Sequence, residues 1–233
     1  MTRLGTSVFA RRLAALFVVI LALVSWSLGQ DSQTNSKAKS TADLEKCLSE
    51  SSCADVRIAA HELASRERFP FLLRRYKGAD EATRAYIVEG IYGSDRGRND
   101  NAVVEFMSSV AFHTTSQNQF DQTTWYALQF LAERCDERAL ERLNACGNTP
   151  QKAYRYEVSC AFWALSLKTF GKCRYVRARE TLLNSLNSSC LDIMNAAGDS
   201  LHALYPGQCM DVKTFDQATS CYTKIWAEEK KPW

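Results

Sequence analysis

From residue 122 to residue 205 the chain repeats one pattern: an apolar residue every three or four positions, polar residues between, and short polar breaks. Thr124–Glu133, Glu137–Cys146, Tyr154–Phe170, Tyr175–Leu186 and Ile193–Tyr205 each carry Leu, Ala, Phe or Tyr at that spacing, the stripe an amphipathic helix buries. The pattern extends upstream. A short helix near Ala42–Leu48, then Asp55–Arg68, Phe71–Tyr76, Glu81–Tyr92 and Ala102–Phe112 are predicted, with a last helix from Phe215 to Ala227. Phe69-Pro70, Lys77-Gly78, the polar loop 93–100, the polar linker 113–122, Thr149-Pro150 and Pro206-Gly207 punctuate these segments, and Asp80 is placed to cap Glu81–Tyr92.

Taken in pairs, the helices fall as 55–68 with 70–77, 81–92 with 101–112, 123–134 with 137–146, 152–170 with 174–187, and 190–205 with 215–227. First members beginning at residues 55, 81, 123, 152 and 190 are unevenly spaced, so two all-α architectures stay open: stacked antiparallel helix hairpins or an irregular helical bundle.

Ahead of the helices stands a different composition. Arg3, Arg11 and Arg12 precede the apolar run 13–28, and small residues Ser27 and Gly29 sit where an export signal would be cut. Residues 1–29 are read as a signal peptide or an N-terminal membrane anchor, because a run this short is at the lower edge of what spans a bilayer. Residues 30–41 hold little to bury and read as a flexible linker. The remainder, 42–233, is expected to be a single all-helical domain, its 192 residues enough for a continuous core. Membrane contact is expected only through residues 13–28, if they are retained.

The charge balance sharpens that division. The chain has 29 Lys and Arg against 26 Asp and Glu, and removing Arg3, Arg11 and Arg12 leaves 26 of each sign. A neutral body exerts no long-range pull on nucleic acid, so no nucleic-acid partner is expected.

Nine cysteines, all after the leader, fit an extracytoplasmic (periplasmic or secreted) chain with disulfides. Cys47 with Cys53, and Cys209 with Cys221, are candidate local bridges. Cys135 and Cys146 bracket a predicted helix about 15 Å long, beyond disulfide reach, whereas Cys135 and Cys173 occupy the turn side of adjacent hairpins and can meet. An odd count leaves a thiol over, and Cys160, on an aromatic-rich helix, is expected to be that buried thiol.

No motif names a reaction. The chain lacks Cys-x-x-Cys, a second histidine after His61-Glu62, a glycine-rich phosphate loop and Gly-x-Ser-x-Gly, so no metal, no cofactor and no catalytic residues are assigned. Glu133, Asp136, Glu137 and Glu141 alternate with Arg134, Arg138 and Arg142, which predicts a surface lattice of i,i+4 ion pairs. Glu62 and Glu89 are expected to face solvent, and would be the better acids if the chain were an enzyme.

The stretch from Ala127-Leu128 through Asp136 and Arg138-Ala139 to Leu143 resembles the first helix, turn and second helix of a HEAT-like (armadillo-type) repeat, with weaker echoes at Ala60–Leu73 and Ala161–Leu183. The long aromatic helix 152–170 departs from that pattern. The resemblance implies a stacked helical scaffold that binds proteins and carries over no catalytic residues. The expected function is therefore an exported scaffold for an unidentified protein or peptide partner. Its expected surface comprises Arg96 and Arg98 in the polar loop, Arg174 and Arg177 in the densest basic stretch, and Trp125, Tyr126, Tyr156 and Trp163. The alternative is a helical enzyme acting on cell-envelope polymers, which would need two carboxylates, or a carboxylate and His113 or His202, in one deep cleft.

Overall fold

Short acidic side chains set the starts of several helices in this protein. In a computed structural model, which describes residues 39–50, 53–113, 121–147 and 160–229, the Asp80 carboxylate accepts from the Thr83 amide at 2.8 Å. Asp121 accepts from Thr124 at 2.6 Å and Asp136 from Ala139 at 3.0 Å, each satisfying a first-turn donor that has no partner inside its helix. Ser40 and Asp43 hydrogen-bond reciprocally at the start of the first helix, a capping box with aspartate in the usual glutamate position.

The fold is all-α, with no strand among the described residues. The helices are α1 (Thr41–Ser49), α2 (Val56–Ser65), α3 (Phe69–Lys77), α4 (Glu81–Tyr92), α5 (Asn101–His113), α6 (Gln122–Ala132), α7 (Glu137–Gly147), α8 (Cys160–Lys172), α9 (Arg179–Ser185), α10 (Leu191–Leu204) and α11 (Phe215–Glu229). The expected leader, most of the linker 30–41, the Thr149-Pro150 helix start and Tyr156 lie outside the described residues. The chain divides into Met1–Asp43 and Leu44–Trp233, and the helical packing described next belongs to the second unit.

Two expected elements differ. The polar loop 93–100 folds into a 3-10 turn, Asp95–Asn99, because Gly97 is buried against Phe69: a Cβ there would meet the ring at 3.2 Å. The expected helix 174–187 starts late, as a 3-10 turn at Val176–Ala178 followed by α9.

The even-numbered helices pack one on the next in chain order: α2 on α4, α4 on α6, α6 on α8, α8 on α10. Residue contacts give the direction. Ala60 meets Gly90 and Ala64 meets Ser94; Glu89 meets Tyr126 and Tyr92 meets Glu133; Trp125 meets Phe162 and Gln129 meets Ser166. In each pair both partners advance together, so α2, α4, α6 and α8 run parallel, and the odd-numbered helices carry the chain back. Small residues permit the closest approaches. A Cβ on Gly90 would stand 3.0 Å from the Ala60 carbonyl carbon and oxygen. Helix α6 sits deepest, with every residue from Thr124 to Ala132 buried.

Three even-numbered helices end in the same way. Glu67 after α2, Cys135 after α6 and Arg174 after α8 adopt φ of 59°, 61° and 51°, the left-handed region. In each case that residue's amide bonds the carbonyl three back, and the next amide bonds the carbonyl five back: Glu67 to Ala64 and Arg68 to Leu63, Cys135 to Ala132 and Asp136 to Leu131, Arg174 to Gly171 and Tyr175 to Phe170. This is the Schellman cap, which usually employs glycine at the left-handed position. Phe170 and Tyr175 add its usual apolar clasp, with ring centroids 5.9 Å apart.

Candidate functional site

Three of the four aromatic residues proposed as surface anchors are core; the fourth, Tyr156, lies outside the described residues. Trp125, Tyr126 and Trp163 are 3%, 5% and 6% exposed. Trp125 packs on Phe162 with centroids 4.6 Å apart and Tyr126 on Tyr92 at 5.3 Å, so these rings join α4, α6 and α8 rather than line a groove. Sequence spacing could not separate these alternatives, because α6 is apolar around its whole circumference and presents no single stripe.

Polar groups run through the same seam. Glu89, expected to face solvent, is buried on α4. Its carboxylate accepts two hydrogen bonds from Arg57 of α2, through Nε at 3.0 Å and through Nη2, and one from the Tyr126 hydroxyl at 3.2 Å. Burial alone would raise the Glu89 pKa; the hydrogen bonds and charge of Arg57, with smaller help from Tyr126 and His61, hold it below the usual carboxylate value. One helix end further along, Glu133 accepts from Tyr92 at 2.9 Å and pairs with Arg98 at 2.7 Å. Burial, then the Glu133 charge and hydrogen bond, push the Tyr92 phenol above its ordinary value. Gln129, fully buried, accepts from Ser166 at 2.9 Å and donates to Thr169 at 2.8 Å, and Ser200 donates to the Leu167 carbonyl at 2.8 Å. Every neighbouring pair in the row α4, α6, α8, α10 is thus tied by buried side-chain hydrogen bonds.

The acidic and basic residues around α7 do not form an i,i+4 lattice. Instead they reach neighbouring elements: Glu133 to Arg98, Glu137 to Arg177 at 3.2 Å, Arg142 to the Ala111 carbonyl at 2.6 Å, and Arg138 over the Phe112 ring at 4.2 Å.

The four arginines singled out in the sequence come together at the carboxyl ends of the even-numbered helices. Arg96 pairs with Glu67 at the end of α2, and Arg98 with Glu133 at the end of α6. Arg134 donates to the Arg98 carbonyl and Lys172 to the Glu133 carbonyl. The Cys135–Cys173 disulfide joins the ends of α6 and α8, and beside it Arg174 is exposed and Arg177 pairs with Glu137. Helix carboxyl ends carry partial negative charge, so cations gather there favourably. Sequence reading placed Lys172 in the same basic stretch as Arg174 and Arg177 but missed Arg134 as a member of this edge.

Cysteines pair as Cys47–Cys53, Cys135–Cys173 and Cys209–Cys221, with Cα separations of 5.3, 5.4 and 6.0 Å. These are the three pairs named from the sequence. The remaining thiol assignment changes: Cys160 is exposed, and Cys146 is the buried thiol, pushed up to about 12 by burial despite the opposing charge of Arg142.

Clefts on the described surface include ones of about 380, 290 and 450 Å³. The first, between α10 and α11 beside Cys209–Cys221, is lined by His202, Met210, Phe215 and Tyr222; the other two share Tyr76 and Ser109. None of these is lined by two carboxylates; the 290 Å³ cleft brings His113 together with Asp121, the helix cap of α6, which is the carboxylate-and-histidine combination the enzyme alternative names. No group of three His, Cys, Asp or Glu able to hold a metal occurs among the described residues. No helix among those residues is long and apolar enough to cross a membrane. No known family model matches the chain, and no curated protein sequence matches it.

Proposed function

We propose that this protein is an exported, disulfide-fastened scaffold of HEAT-like build that binds an acidic segment of a partner protein along its arginine edge. The observation that carries the reading is the convergence of Arg96, Arg98, Arg134, Lys172, Arg174 and Arg177 at one end of the parallel helices. Their placement follows from the fold, since the capped ends of α2, α6 and α8 present the same backbone turn.

Two of the pairs that restrain this edge are weak enough to exchange, while the half-buried Arg98–Glu133 pair is held in place. Arg96 and Glu67 side chains are 66% and 54% exposed, and Arg177 and Glu137 are 66% and 69% exposed. Ion pairs so open to water contribute about 0–1 kcal/mol, so a partner's carboxylates can replace them at small cost. The buried hydrogen bonds beneath keep the edge rigid, which reduces the ordering cost of binding. Glu89 suits this structural part better than the envelope-hydrolase alternative, because Arg57 favours its ionised form, whereas a general acid must hold its proton near neutral pH.

Capture from an extracytoplasmic extract, with the exported chain as bait, tests the reading. A stoichiometric partner is expected, released by raised salt and lost with the combined substitutions Arg96→Glu, Arg174→Glu and Arg177→Glu. A partner insensitive to both, or cleavage products from envelope material in place of a partner, would overturn it.

A further inference from the structure

Cys160 and Cys190 are distant in sequence and adjacent in space. Cys160 opens α8 as described and Cys190 is the N-cap of α10; these two helices pack closely, with Gly171 against Ser200 near their other ends. Because the two contacts advance in the same direction, α10 continues the parallel row, and its parallel course is what brings both cysteines to one end. Counting back from Gly171 and Ser200, eleven residues to Cys160 (171 − 160) and ten to Cys190 (200 − 190), sets the two thiols level at the amino-terminal end of the packed pair, where each shifts the other's proton affinity, Cys160 up and Cys190 down. Neither is enclosed: Cys160 is exposed and Cys190 half-buried. The surroundings are asymmetric. The neighbouring Cys160 thiol, and then the first-turn backbone of α10, favour a Cys190 thiolate, against burial and the Asp192 carboxylate.

We propose that Cys160 and Cys190 form a reversible fourth disulfide that locks the amino-terminal ends of α8 and α10 together. Cys190 is the attacking sulfur and Cys160 the resolving one. With a small-molecule disulfide such as oxidised glutathione, the Cys190 thiolate bonds to one glutathione sulfur, the glutathione S–S bond breaks, and one glutathione thiolate leaves and takes a proton from water. Cys160 then gives its proton to water, and its thiolate attacks the Cys190 sulfur, expelling the second glutathione thiolate. Two protein thiols are oxidised and one glutathione disulfide is reduced to two glutathiones, with no further electrons required. This also settles the odd cysteine count: of nine cysteines, Cys146 alone stays a thiol, enclosed in the core where an exchange partner has poor access. The three other bridges join sites that are turns or terminal segments, whereas this one would clamp the closest-packed pair of helices from a surface position. It is therefore the bridge that solvent reductants reach and the redox poise of the compartment sets.

The test uses the full chain with its three other disulfides intact, equilibrated in glutathione buffers of graded ratio, acid-quenched, unfolded and alkylated, then digested and analysed by non-reducing mass spectrometry. In reducing buffers that spare the other bridges, Cys146, Cys160 and Cys190 should all be alkylated. In oxidising buffers Cys146 alone should be, with a Cys160–Cys190 linked peptide appearing in proportion. Cys160→Ser should stop at a glutathione adduct on Cys190. Native-state alkylation of the reduced wild-type chain should label Cys190 at least about ten-fold faster than Cys146, a readout that needs no variant. Alkylation of both Cys160 and Cys190 in oxidising buffer, stable glutathione adducts on the wild-type pair, or linkage of either to Cys146 would overturn the proposal.

Discussion

Gly171 of α8 lies so close to Ser200 of α10 that a Cβ at Gly171 would stand 2.7 Å from the Ser200 Cα. The obstruction is backbone, and α10 is held there by the Ser200 hydrogen bond to the Leu167 carbonyl, so neither helix can yield locally.

Gly171→Ala is accordingly expected to destabilise the fold by about 1–3 kcal/mol, as overpacking of a tight core does. For a chain of this size each kcal/mol lowers Tm by about 2–4 °C. Gly198 on the same α10 is the control. A Cβ there meets only Leu186 Cδ2, at 3.9 Å, so Gly198→Ala should raise stability by about 0.5–1 kcal/mol through helix propensity. Thermal unfolding followed by circular dichroism checks both signs, and equal effects would contradict the close approach.

Acid should loosen the α2, α4 and α6 seam through Glu89. Its folded pKa lies below the unfolded carboxylate value, about 4.3, so the stability it contributes is present above that value and is lost as pH falls through the folded one. Glu89→Gln should cost about 1–2 kcal/mol at pH 7, since Arg57 remains solvated while its charge-assisted bonds weaken. Below pH 4 the gap between wild type and variant should close. Denaturant midpoints measured from pH 7 downward would show this convergence, and a gap independent of pH would refute the assigned role.

Gln129 offers a sharper isosteric comparison. Gln129→Leu removes its bonds to Ser166 and Thr169, but both hydroxyls retain helix carbonyls, Phe162 at 3.5 Å and Leu165 at 3.0 Å, so a loss of about 1–3 kcal/mol is expected. Gln129→Glu keeps the shape and places a carboxylate in a fully buried site beside Glu133. It should be the more damaging change, by about 2 kcal/mol or more, and should recover on acidification.

The Cys135–Cys173 bridge closes a segment of 38 residues, for which chain entropy gives about 3–4 kcal/mol. Cys135 also holds a left-handed φ of 61°, which costs a side-chain-bearing residue about 1 kcal/mol or more relative to glycine. In a Cys173→Ser background, Cys135→Gly should therefore be more stable than Cys135→Ser by about that amount. Urea unfolding of the two double variants measures the difference.

These residues also mark how far the linear pattern could be read. Helix boundaries followed from apolar spacing and, at Asp80, an acidic cap, and Cys135 was matched to Cys173 because predicted hairpins put both at a turn. Glu89 was misread as solvent-facing, because the arginine that buries it lies on α2, far back in the chain. Trp125, Tyr126 and Trp163 looked like anchors because a broad apolar helix has no face that sequence alone can label outward. The recurring caps at Glu67, Cys135 and Arg174 escaped notice because none uses glycine.

What the sequence by itself determined is local: where the backbone coils, where it stops, and the chemistry each segment carries, since spacing and capping act within a few residues. Which helices became neighbours, and therefore that Glu89 meets Arg57 and that Cys160 meets Cys190, was decided only by tertiary packing. Small residues such as Gly90 and Gly171 let particular parallel helices approach closely, and that approach, between residues far apart in the chain, places the charges and sulfurs together.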